Sequence, residues 1–168
     1  MKYVIALCLS LSLVYNSASQ DSDVASVDAI ITALYDVISG PAGERDWDRF
    51  RSFFKENAIM GAMAPTREGG LVYRAMTPES YLQNNGPYFL ENGFWETEIG
   101  REVHQFGELA HVFTTYQFVL GDDPKGPVAR RGINSVQLVF EQDRWWIVSI
   151  QWNSEREDNP LPADRINK

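Results

Sequence analysis

Two histidines and a glutamate in the middle of the chain are the first residues whose spacing suggests chemistry. A two-residue turn at Gly107-Glu108 would place Phe106 opposite Leu109, His104 opposite His111, and Glu102 opposite Phe113. Paired imidazoles one step from a carboxylate can hold a metal ion or pass a proton. The spacing fixes no third ligand, so the pattern reads first as a half-exposed sheet surface near a hairpin tip. No metal site is expected from it.

A second constellation follows from a turn at Gln142-Asp143. It sets Phe140 against Trp145, Leu138 against Ile147, Val136 against Ser149 and Asn134 against Gln151. Side chains alternate across a strand, so these eight are expected on one face. That face is apolar at one end and polar at Asn134, Ser149 and Gln151, which suits a small-molecule pocket. Thr115, Tyr116 and Trp47 are further candidates to line it. The face carries no Asp, Glu or His, which favours binding over catalysis. The catalytic alternative uses Asp46, Tyr73 or His104 in acid–base chemistry. Asp46 also sits where a helix start welcomes a carboxylate. Arg130-Arg131 either opens a strand or binds a carboxylate. There is no phosphate-binding glycine loop, no HExxH and no GxSxG.

The elements that must position these residues can be read from periodicity. Four long runs rich in β-branched and aromatic residues span Phe94 to Trp152, divided at Gly107-Glu108, at Gly121 to Pro127, and at Gln142-Asp143. Long strands in a meander imply a twisted, curved sheet with a concave face to fill. Val24, Val27, Ile30, Ile31, Leu34, Tyr35 and Ile38 form a helical stripe that would fill it. Arg45 to Lys55 is a second, shorter helix. Ala58 to Ala64 and Leu71 to Met76 are expected as antiparallel strands. Thr77-Pro78-Glu79 starts a third helix, which Asn84-Asn85-Gly86-Pro87 should interrupt. Gly100, inside a long strand, marks a bulge or bend. The opposite face of the last hairpin, with Ile133, Val139, Trp146, Val148, Ile150 and Trp152, is also apolar. A second copy of the chain is expected to cover it, giving a homodimer.

Composition bounds the function. The 168 residues are 44% hydrophobic and 12% aromatic, which fits one folded domain. A formal net charge of -8 argues against nucleic acid as a partner. Met1-Lys2-Tyr3, an apolar run from Val4 to Tyr15, and small polar residues to Gln20 have the order of a secretory signal. Residues 1–19 are read as that signal, which implies export to a periplasm or the exterior and no membrane insertion after its removal. Cys8 lies inside it, so the mature chain would have no cysteine chemistry.

The order of elements over roughly Val24 to Asn153 resembles the nuclear transport factor 2-like superfamily, the SnoaL-like cone fold, in an exported bacterial subgroup. Local likenesses are Arg45-Asp46-Trp47-Asp48, the run from Phe106 to Tyr116, Arg131 to Leu138, and Arg144-Trp145-Trp146-Ile147-Val148-Ser149. The resemblance implies an α+β cone: a strongly curved mixed or antiparallel sheet of about six strands wrapped on three helices. It implies a domain over residues 20–153; the polar stretch after it, with Pro160 and Pro162, is read as an extended tail over 154–168. The superfamily holds isomerases, dehydratases, cyclases and non-catalytic modules, so fold alone assigns no activity. The expectation is a pocket for a small apolar or mixed-polarity molecule, with no cofactor. The alternatives are an acid–base enzyme and an interaction domain.

Overall fold

The structure is a computed structural model that describes residues 22–166. The signal segment expected at 1–19 lies outside the described residues. Helix α1 (Val27–Ile38) begins at Ser26, whose hydroxyl accepts the Ala29 amide at 3.0 Å. Its stripe is buried, with Ile30 and Ile31 fully covered. Each such aliphatic side chain contributes about 1.5–3 kcal/mol by leaving water. Helix α2 (Trp47–Ser52) is shorter than the Arg45–Lys55 expectation, because strand β1 (Phe54–Pro65) starts already at Phe54. Strand β2 (Leu71–Met76) pairs antiparallel with β1.

Helix α3 (Pro78–Glu91) starts as expected at Thr77 and Pro78, but it is not interrupted at Asn84 to Pro87. Tyr81 stacks on Phe50 at 5.6 Å and Phe89 on Trp47 at 6.0 Å. These contacts anchor the helix on both sides of Pro87, and packing overrides local propensity.

The four long strands form as read: β3 (Phe94–Phe106), β4 (Leu109–Leu120), β5 (Val128–Glu141) and β6 (Arg144–Ser154). With β1 and β2 they make one six-stranded sheet in the order β2-β1-β6-β5-β4-β3. Only β1 and β6 run parallel, so the sheet is mixed. The β3–β4 turn gives the expected pairs, including His104 with His111. Gln142 and Asp143 have φ of 55° and 59°, the left-handed pair of a two-residue hairpin turn.

Two bulges then decide which side chains face the helices. In β3 the register shifts between Glu98 and Gly100. Phe94, Glu96 and Glu98 therefore turn inward, whereas Glu102 and His104 stay outside. In β5–β6 the register shifts between Gln137 and Leu138, so Ser149 pairs with Gln137 and Gln151 with Ser135. Ile150 and Trp152 take the inner positions instead. This corrects the expected pocket face: Asn134 and Val136 are inside as read, but Ser149 and Gln151 point the other way.

The chain end folds back over the outer face. Glu155 pairs with Arg131, and Arg165 with Glu102, with the Arg165 guanidinium also over Phe113. A side chain at Gly100 would meet the Arg165 carbonyl at 2.2 Å, so glycine permits this close approach. The tail is thus not simply extended, and it covers part of the face expected to need a second subunit.

Candidate functional site

The concave face and the helices enclose a cavity of about 230 Å³. Its wall is mostly apolar: Leu34 and Ile38 from α1, Phe50 from α2, Met60, Phe94, Phe118, Ile150 and Trp152 from the sheet. Set into this wall are Tyr35, Tyr81, Tyr116, Asn134 and one carboxyl, Glu96.

Glu96 is fixed from behind. Its amide donates to Ser39 Oγ at 3.0 Å, and Ser39 Oγ lies 3.1 Å from its carbonyl. The residue after Ser39, Gly40, exchanges two backbone hydrogen bonds with Phe94, at 2.8 and 2.9 Å. The end of α1 is therefore stitched to β3 at the site. Arg45 holds that corner: its buried guanidinium donates to the carbonyls of Ile38, Gly40, Pro41 and Gly43. Burial pushes the Glu96 carboxyl up to about 7, and a hydrogen bond from Asn134 offsets part of the rise. Near neutral pH it is poised between its acid and base forms.

Beside Glu96 runs a directed chain of hydrogen bonds. Thr114 Oγ1 donates to the Glu98 carboxylate at 2.5 Å, which uses its only proton. Tyr35 must then donate to Thr114, at 2.8 Å, and accept from Asn134 Nδ2 at 3.1 Å. Arg101 donates to the Glu98 carboxylate at 2.6 Å. Tyr35 stays a phenol: burial, then the neighbouring charge of Glu96, raises it well above the ordinary tyrosine value. Burial and Glu96 do the same to Tyr81, and burial leads the rise at Tyr116. The cone therefore holds one titrating carboxyl among phenols and an amide that remain hydrogen-bonding groups at neutral pH.

The expected site residues divide sharply. Asn134 and Tyr116 line the cone, and the Tyr116 hydroxyl lies 3.1 Å from Ser154 Oγ. Trp47 packs edge-on to Phe50 at 5.8 Å, in the core beside the cavity. Thr115 is buried on the outer side of β4, back to back with Thr114. Gln151, Tyr73 and Met63 line a second cavity of about 480 Å³ between the outer sheet face and the tail residues Asn159 to Pro162. Ser149 shares that outer face. Asp46 caps α2, accepting the Arg49 amide at 2.9 Å. His104 is exposed and bonds Glu102 at 2.8 Å, while His111 meets Ser135 at 3.0 Å. Glu102 is already engaged by Arg165. Among the described residues no three His, Cys, Asp or Glu side chains gather as a metal site. No helix among them is long and apolar enough to cross a membrane.

The residues that sequence reasoning missed are Glu96, Tyr35 and Tyr81. The available signal was Gly100: a bulge there reverses the facing of every β3 residue before it.

Known proteins place this architecture. No protein-family profile matches the chain, and no curated protein matches it in sequence. Solved structures do. A protein of unknown function with a cystatin-like fold from Nostoc punctiforme superposes with a TM-score of 0.58 at 10% identity, over 78% of this chain and 90% of that one. A candidate dehydratase from the NTF2-like family of Streptomyces avermitilis gives 0.56 at 17% identity, over 85% and 99%. An NTF2-like protein from Cytophaga hutchinsonii gives 0.51 at 8% identity, over 74% and 88%. The protein therefore has the α+β NTF2-like cone fold.

Proposed function

We propose that the chain binds a small, mostly apolar molecule in the cone and exchanges a proton with it through Glu96, in isomerase- or dehydratase-type chemistry. One observation carries the reading: a single carboxyl, raised to about 7 by burial, lines an aromatic cavity beside phenol and amide groups. A catalytic acid–base works best when its pKa is near the working pH. The Tyr81 phenol lines the same cavity and can donate to a substrate oxygen as charge develops. The dehydratase reading of the Streptomyces avermitilis neighbour is compatible with this chemistry. The reading replaces the expected candidates Asp46, Tyr73 and His104 with Glu96. Export, suggested by residues 1–19, and pairing with a second copy remain parts of the proposal.

The test is proton exchange. The protein is incubated in deuterated water with small apolar carbonyl compounds and hydroxy acids. Products are read by mass for deuterium gained or water lost. The expected result is catalysed exchange or dehydration that falls about 10²–10⁴-fold in Glu96→Gln. Turnover unchanged by that substitution would remove Glu96 from the chemistry.

A further inference from the structure

The adjacent arginines at the start of β5 are sent to opposite sides of the sheet. Arg131 pairs across to Gln117 on the outer face, where Glu155 takes its guanidinium at 2.9 Å. Arg130 pairs across to Phe118 and lines the cone. Phe118 in turn pairs with Glu96 on its other side. Glu96, Phe118 and Arg130 thus form one row across three strands, all facing inward. Neighbouring strands lie about 4.8 Å apart, so the two ends of the row are about 10 Å apart at the backbone.

Arg130 also differs from its neighbours in how its charge is used. Arg49, Arg51, Arg101, Arg131, Arg156 and Arg165 each hold a carboxylate. Among the described residues, Arg130 has no carboxylate within ion-pair distance, and it is exposed where it borders the cone. Its charge reaches the cavity, since it favours the ionised form of Tyr116. A guanidinium is a planar fork of donors matched to a carboxylate.

We propose that the molecule bound in the cone is a small organic carboxylate, with its carboxylate group held by Arg130. This rests on the cone being the binding site, and it adds the substrate class. The apolar body lies over Phe118, between Phe94 and Trp152. The atom that meets Glu96 is then at the far end of the row from the anionic group. One guanidinium facing one carboxyl across the cavity suits a monoanion. A phosphate dianion would bring a second charge with no second cation in the row.

Calorimetric titration with trans-cinnamate and its neutral counterpart cinnamamide tests this. The protein is expected to bind cinnamate about fivefold to tenfold more tightly, and Arg130→Gln to bring the two to equal affinity. Cinnamamide affinity should not change in Arg130→Gln, which reports that the cone is intact. Arg130→Lys should restore part of the preference, because it keeps the charge and loses the fork. Equal affinities in the unsubstituted protein, or a preference that survives Arg130→Gln, would overturn the proposal, as would binding of neither compound. Tighter binding of phenylphosphonate than of cinnamate would overturn the monoanion assignment. The acid–base reading fails separately. If Glu96→Gln leaves proton exchange intact while Arg130→Gln still levels the affinities, that reading falls and this one stands.

Discussion

The two faces of the sheet are built from the same four strands and use their polar residues in opposite ways. Outside, charges find partners: Arg131 with Glu155, Arg165 with Glu102, His104 with Glu102. Such pairs at a surface are worth little, because water competes with the counter-charge. Inside, Glu96 sits among aromatic rings with only an amide to soften its burial, and its carboxyl is raised to about 7. A side chain's chemistry here follows the face it is turned to, and two bulges set that face. The bulge before Gly100 turns Glu96 inward, and the one in β6 turns Ser149 and Gln151 outward.

The contrast can be broken or sharpened by substitution. The largest effect is expected in the inner packing. Phe50 is buried between Phe54, at 4.9 Å, and Tyr81, at 5.6 Å, so Phe50→Ala should cost about 3–5 kcal/mol in a urea unfolding series. Phe106 on the outer hairpin tip is 89% exposed, and Phe106→Ala should change stability by less than about 0.5 kcal/mol. Similar losses at both positions would erase the distinction.

Glu96→Gln should stabilise the protein at pH 8 by about 1–3 kcal/mol. The sign follows from protons bound. The folded pKa, about 7, is above the ordinary value of 4.5, so the folded state holds the proton more tightly. Stability therefore falls as pH rises through that window. The penalty is absent well below pH 4.5 and complete above 7, and the gain in Glu96→Gln should fade when unfolding is repeated at pH 4. A gain independent of pH would not come from the titration.

Asn134→Leu should cost about 1–3 kcal/mol, because it leaves the Tyr35 hydroxyl without its donor. It should also raise Glu96 further, by removing the hydrogen bond that lowers it. Chemical denaturation and a carboxyl titration read the two effects separately. Gly100→Ala should act mainly outside, since the new methyl meets the Arg165 carbonyl. Tail residues near Arg165 should become more open to proteolysis, with ligand affinity in the cone changed less than about twofold. The smallest effect is expected at His104→Ala, below about 0.5 kcal/mol, as its ring is exposed and its partner Glu102 keeps Arg165.

Much of the fold was legible because strong local signals agreed with it. The turn at Gly107-Glu108 gave the expected pairs from Phe106 back to Glu102, and the turn at Gln142-Asp143 gave Phe140 with Trp145 and Leu138 with Ile147 but not the two pairs beyond the bulge. The α1 stripe announced its buried face. The site was less legible. A bulge shifts facing without an unmistakable signature. Gly100 was recognised as a bulge marker, but its consequence for Glu96 needs the neighbouring register. The β6 bulge falls near Val148, where no Gly or Pro announces it. Continuity of α3 through Pro87 was hidden for another reason: Tyr81 and Phe89 hold it by tertiary contacts that lie outside any local window.

The central claim is that Glu96 is a half-buried, poised carboxyl lining the cone. Carbon-detected NMR titration of the glutamate side-chain carboxyls, with Glu96→Gln used to assign the resonance, tests it most directly. The account predicts a midpoint near 7 for Glu96, well above the ordinary glutamate value of 4.5. A Glu96 midpoint near 4.5 would contradict it, and would leave the cone without an acid–base group.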